Sequence, residues 1–485
     1  MLIRQTLLYF PAQLIGPLFQ FIAAVAWTHF LPPESYGVLT FILAAQDLAF
    51  VVSLNFWSAY TVRYLGAVAG GPDLARHQAT ENAVLIASAV LQAIAAVIAV
   101  RSINADLSAP LITGATLFII TRSLSVHFAE RARAVGDIAT YTIMQLLGPV
   151  AGFWLAVALV AQVSPTPAAA LWGFTIVQAL GLAWAWRSMG LRLANGAPDR
   201  AIFLKALGFG LPIVIGGALG WVSLNGIRVV VEHAQGVAAV GLIAVGWGLG
   251  QRLASVSAML VAAAAFPLAV KTFQTGARQD ALRQLADNGA LLLGVVMPAS
   301  IGVIILAEPA VALMIAEPFR AVTLAVLPTA ALAGAVRNFR LHFADQVFLL
   351  VERPYVTVII NIVEAVAVVI CCGIGVAAGG LSGASLGCLV GSSIATLFCV
   401  VLARVQCGLP LPVMHALRIG AATGVMWAVL KIPAWSVLLP SAAAQVAVEP
   451  LIGALAYVGV LALFYRGSLG GVLAQRRALR PLAET

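Results

Sequence analysis

"RSLSVHFAE" occupies residues 122–130 and "RNFRLHFAD" residues 337–345. Both read Arg, four residues, His-Phe-Ala, then an acid. Each is set into an apolar run, one in the first half of the chain and one in the second. A charged phrase written twice at matching places marks an internal duplication, the pattern from which many membrane transporters are built.

The surroundings of the two phrases settle the fold class. The chain has 485 residues, of which 62% are hydrophobic and 9% charged, and its mean hydropathy is +1.02. A soluble protein carries about 25% charged residues. The apolar runs are continuous and do not alternate, so they predict membrane-spanning helices and not barrel strands. About fourteen runs of roughly 20 residues lie between residues 10 and 466. The first phrase falls on the fourth run and the second on the tenth. Six runs on, the chain points the same way. The expected architecture is an all-α polytopic membrane protein with two six-helix lobes related by pseudo-two-fold symmetry about the membrane normal, followed by two C-terminal helices. In residues this gives an N-lobe 1–190, a cytoplasmic linker 191–204, a C-lobe 205–405, and helices 13–14 with a tail in 406–485.

Orientation follows from the basic residues. With the N-terminus placed inside, about 18 of the 27 fall on the cytoplasmic side and about 4 on the other, namely Arg101, Arg228, Arg320 and Lys431. Both termini are therefore expected in the cytoplasm. The net charge of +9 reflects this loop bias, and nucleic acid is not an expected partner. Arg4 precedes a run too long for a cleavable signal, so a first membrane helix is expected there. The five cysteines lack metal spacing and are expected to pack. Gly375, Gly379, Gly383, Gly387 and Gly391 stay near one helix face, which predicts close backbone contact; a surface that slides during transport is the alternative reading.

Three stretches resemble one family. "THFLPPESYGVLTFILAAQDLAFVV" (28–52), with Leu31, Pro33, Tyr36 and Gly37, is similar to the opening of Wzx-type polysaccharide transporters, the lipid-linked oligosaccharide flippases of the MOP superfamily. "ERARAVGDIATYTIMQLLGPV" (130–150) resembles their linker between helices 4 and 5. "GLSGASLGCLVGSSIATL" (380–397) resembles the start of their twelfth helix. The resemblance implies a MATE-like fold. It departs in helix 7, where many members carry an Asp-Arg pair and this chain has Ile227 before Arg228. Any coupling role of that Asp is not carried over.

An ionisable side chain inside the bilayer costs about 3 kcal/mol or more and usually faces a cavity. The candidates for substrate binding are Arg122, Arg337, Arg340, Arg228 and Arg252; those for coupling or gating are Asp47, Asp345, Glu364 and Glu130. Arg122 and Arg337 open the twin phrases, and Arg340 shares a face with Arg337 if the helix is regular. Arginine keeps its charge and donates two parallel hydrogen bonds to phosphate oxygens, so an excess of arginine suits an anionic cargo. The competing reading is structural, with ion pairs pinning helix ends. Asp47 and Arg252 correspond under the repeat and are placed to pair between lobes. His127 and His342 are read as interfacial hydrogen-bonders.

The function this implies is a flippase carrying an isoprenoid-diphosphate-linked oligosaccharide across the bacterial inner membrane by alternating access. The cargo comes from the resemblance. The alternatives are a cation-coupled multidrug exporter, which would need an acid-rich cavity, and a membrane-embedded glycosyltransferase or polymerase, which would need catalytic acids beside a large external loop. The sequence has no phosphate-binding loop for ATP hydrolysis. Not an enzyme, the chain is expected to need no cofactor, with a proton or sodium gradient as candidate energy source. Expected partners are the lipid-linked oligosaccharide, membrane lipids, and polysaccharide polymerase and ligase machinery; a monomer is expected.

Overall fold

The computed structural model describes residues 2–466, apart from 69–72, 104–107, 191–196, 275–276, 433–434 and 436–437. Part of the expected linker (191–196) and most of the expected tail (467–485) lie outside the described residues. Helices make up the fold, and no strand occurs among the described residues.

Twelve of these helices are long and apolar enough to cross a bilayer, which makes the chain a multi-pass membrane protein. The count differs from the expected fourteen at two places. The first expected span lies in the helix Leu2–Phe30, whose described apolar part, Leu18–Phe30, is shorter than a span. The expected eleventh and twelfth spans are joined in one 54-residue helical stretch, Pro354–Cys407.

That stretch would be about 80 Å long if straight, more than twice the roughly 30 Å hydrocarbon core. Instead it folds back. Gly379 (φ −144°, ψ 22°) and Gly380 (φ 60°, ψ −140°) leave the helical region, and the positive φ of Gly380 is one that glycine adopts without steric cost. A methyl group on Gly375 would lie 2.0 Å from the Gly383 carbonyl oxygen. One on Gly387 would lie 2.1 Å from that of Cys371, and one on Gly391 would lie 2.6 Å from the Val368 Cα. These contacts pair the two arms antiparallel around the turn. The glycine stripe is thus the seam of a helical hairpin, as small residues allow in lipid.

By packing, the chain divides into two compact units. The first comprises residues 1–248 and 361–391, the second residues 249–360 and 392–485. In the first unit, the helices Pro33–Ser53 and Val237–Gln274 touch backbone to backbone. A methyl on Gly37 would lie 2.0 Å from the Val237 oxygen, and one on Gly241 1.9 Å from the Pro33 oxygen. The helix Arg200–Gln235 runs alongside: Gly210 meets the Phe56 backbone, and the Trp221 indole N–H donates to the Ala44 carbonyl at 2.7 Å. Residues 205–248, expected to open the C-lobe, fall in the same compact unit as the first 190.

The second unit is built on the helix Arg278–Ile305. Leu285, Leu292 and Val296 form its core with Phe343, Val347, Phe348, Ile360, Cys399 and Ala403. The helices Val413–Leu430 and Ala442–Phe464 join it through Tyr457, whose hydroxyl donates to the Gly294 carbonyl at 2.7 Å. Their other faces expose Leu417, Trp427, Leu451, Leu455 and Leu463, the surface a lipid-facing helix presents.

Candidate substrate site

The first phrase lies in the helix Ala109–Ala134. Phe128 and Ala129 are buried, and Phe128 packs edge-on against Trp186. Arg122 is half-buried. It lies against Gly148, where a methyl group would come 3.5 Å from Nη1, and Asp47 is the carboxylate whose charge acts on it. Next to these, the Gln46 amide donates to the Ser123 hydroxyl at 3.3 Å. Glu130 is half-buried and pairs with Arg133 one turn on, at 2.5 Å.

The second phrase is built differently. The helix Glu317–Phe339 ends in a π-helical turn, Arg340–Ala344, before the helix Asp345–Leu350. A π turn accommodates an extra residue, so residues beyond it are rotated from where a regular helix would put them. The carbonyl of Leu341 is taken up by the Gln346 side-chain amide at 2.9 Å. Phe343 and Ala344 stay buried as Phe128 and Ala129 do, and Phe343 presses on Gly289. Asp345, however, points inward and is 2% exposed. Its Oδ2 lies 3.5 Å from Arg340 Nη1, and its Oδ1 accepts from the Cys399 thiol at 3.1 Å.

This separates two arginines expected to act together. Arg340 is 0% exposed and held in an ion pair, whereas Arg337 is half-buried. Arg252 and Arg228 are also half-buried. The Arg228 guanidinium donates to Asn225 Oδ1 one turn earlier. Glu364 is fully buried in the arm that carries Val368 and Gly375. Among the described residues, no group of three or more His, Cys, Asp or Glu side chains converges as for a metal ion.

The most elaborate polar cluster was not among the candidates. Glu81, on the helix Leu74–Ser102, is 3% exposed. Its Oε1 lies 3.0 Å from His127 Nε2, and its Oε2 accepts from the Arg131 guanidinium. His127 Nδ1 is 2.9 Å from the Ser58 hydroxyl. His77, one turn before Glu81, is buried and stacks on Trp57 with centroids 5.2 Å apart. His127 forms these hydrogen bonds from complete burial. A signal existed in the sequence: His77/Glu81 and His127/Arg131 are both i, i+4 pairs on neighbouring spans, and such pairs share a helix face.

The profile of the polysaccharide biosynthesis protein family matches residues 81–323, half of the chain. A search of curated proteins finds no match. Among solved structures, the chain is similar to the lipid II flippase MurJ in an inward closed conformation, with a TM-score of 0.73 and 14% identity, covering 96% of this chain and 100% of that one. It is similar to a multidrug resistance MATE family transporter of the MOP superfamily in an inward-facing conformation, with a TM-score of 0.60 and 18% identity over 81% of this chain and 94% of that one. A MOP superfamily transporter from Pyrococcus furiosus, described as having a binding pocket of reverse polarity, gives 0.53 and 16% over 84% and 95%. At such identities the likeness speaks for the fold, and the profile speaks for the family. The chain belongs to the polysaccharide biosynthesis protein family and has the fold of the MOP-superfamily flippases and transporters.

Proposed function

We propose that the protein is a flippase that carries an isoprenoid-diphosphate-linked oligosaccharide across the bacterial inner membrane, with both termini in the cytoplasm. The observation that carries this reading is the set of half-buried arginines on apolar helices, Arg122, Arg228, Arg252 and Arg337, in a chain of the polysaccharide biosynthesis family. A diphosphate needs cations that keep their charge in a poorly solvated cavity, and a guanidinium does so while offering paired donors. The named acids fit a supporting role: Asp47 acts on Arg122, Glu130 pairs with Arg133 and Asp345 with Arg340. A drug exporter of cations would need the opposite balance. Glu364 is the acid we assign to coupling with a proton or sodium gradient. Delivery to polymerase and ligase machinery on the far side, by a monomeric carrier, completes the reading.

The buried pair Arg340–Asp345 and the half-buried Arg337 allow a sharp test. Arg337→Ala should abolish glycan export at unchanged protein abundance, and Arg337→Lys should restore it only in part, since an ammonium lacks the planar fork. Arg340→Ala should instead lower abundance, and adding Asp345→Asn should recover it. Export and abundance are measured together in a strain lacking the native protein. Normal export from a well-expressed Arg337→Ala protein would overturn the binding role.

A further inference from the structure

An elongated groove of about 420 Å³ lies in the first unit, between the helices Pro33–Ser53, Leu74–Ser102 and Arg200–Gln235. Along the first of these its lining runs from Phe41 to Ser53, about 18 Å at 1.5 Å per residue. Small side chains open it: Ala44, Ala45 and Ala49 on one helix, Ala95 and Ala99 on the next. Leu48, Val52, Leu91 and Ile98 make its walls apolar.

The two ends differ. At one stand Arg228 and Asn225, with the guanidinium steadied by the Asn225 carbonyl. Trp221 is fixed beside them by its bond to the Ala44 carbonyl. At the other end Ser53 donates to the Ala49 carbonyl at 2.6 Å, sits 2.9 Å from the Ser88 hydroxyl and accepts from the Gln92 amide at 2.9 Å. Ser88 and Gln92 do not line the groove, and Ser53, which does, has its hydroxyl engaged by these bonds, so the far end offers a ligand a mainly apolar surface. A groove with one cation at one end and an apolar length behind it complements an amphiphile with an anionic head and a single chain. The choice of a prenyl chain over a diacyl lipid follows from the flippase reading.

We infer that this groove holds the first isoprene units of the carrier lipid, with the diphosphate at Arg228. The inference rests on the flippase reading and deepens it. With the N-terminus in the cytoplasm, Arg228 stands toward the outer end of its helix, so the groove serves the leaflet into which the cargo is released. Arg228 then acts as a headgroup anchor on the exit side, and the alanines set the width of the chain that can lie there.

The test uses the full-length protein in lipid nanodiscs and a short prenyl diphosphate carrying a benzophenone on its chain. Irradiation should attach the label within residues 41–53 and 91–102. Farnesyl diphosphate should compete, whereas farnesol and phosphatidylglycerol at equal concentration should not. Arg228→Gln should weaken the competition about tenfold, the scale of a lost charge-assisted hydrogen bond. Ala45→Leu should suppress labelling by narrowing the groove with the charge untouched. Label confined to other segments of the unaltered protein would overturn the inference, as would equal competition by phosphatidylglycerol, which marks a general lipid groove. The two readings fail separately. If the label misses the groove while Arg337→Ala still stops export, the flippase stands and the groove falls. If the groove is labelled while loss of the protein leaves export intact, the groove stands as a prenyl-lipid site and the flippase reading falls.

Discussion

Glu81→Ala should remove most of the folded protein from the membrane. Glu81 is the acid that holds Arg131 and His127, and all three side chains are buried. Its loss strands a guanidinium in a low-dielectric interior, and breaking a buried ion pair from one side costs about 3–5 kcal/mol. That is a large part of the 5–15 kcal/mol by which a typical protein is stable. Glu81→Leu combined with Arg131→Met should recover most of the loss, because an apolar pair of similar volume removes the stranded charge with its partner. Thermal unfolding of detergent-solubilised protein, followed by size-exclusion fluorescence, reads both changes. If Glu81→Ala unfolds like the unaltered protein, the cluster does not pin these helices. If the stable double variant has also lost glycan export, the cluster does more than hold them.

The second large effect is steric. A Cβ at Gly241 would stand 1.9 Å from the Pro33 carbonyl oxygen, and one at Gly37 would stand 2.0 Å from that of Val237. In both cases the obstacle is backbone, so no rotamer change can relieve it. Gly241→Leu should therefore force the helices Pro33–Ser53 and Val237–Gln274 apart. Overpacking of this kind costs about 1–3 kcal/mol or more. Gly248→Ala is the control, on the same helix with nothing within 4 Å of the added atom. It should be neutral or slightly stabilising, since alanine is the better helix former. Equal stability of the two variants would mean that the crossing is not as close as described. The contact also supplies a physical reason for the Leu31, Pro33, Tyr36, Gly37 phrase: Pro33 and Gly37, one turn apart, both meet the backbone of the partner helix.

Export after Arg337→Ala and labelling of the alanine-floored groove test the chemistry; the two variants above test the frame that carries it.

The sequence alone determined that this chain is a stack of membrane helices. That information is compositional, and a chain with so few charges has no other way to satisfy its backbone in lipid. The twin phrases marked an internal duplication, and the Phe-Ala of both copies is buried. The glycine stripe announced a close contact, which the hairpin at Gly379–Gly380 makes. The polar partnerships were not legible in the same way. The two phrases have the same spacing of Arg, His and acid, yet Glu130 is half-buried and pairs along its own helix, whereas Asp345 is fully buried. A single π-helical turn rotates one phrase and not the other, and helical periodicity read from sequence assumes a regular turn. Glu81 stands at the start of an apolar run, where a charge reads as a helix end. Its partners Arg131 and His127, and the Ser58 hydroxyl that bonds to His127, arrive from other helices. Which charges meet inside a bundle depends on how helices rotate and cross, and only the tertiary structure decides that.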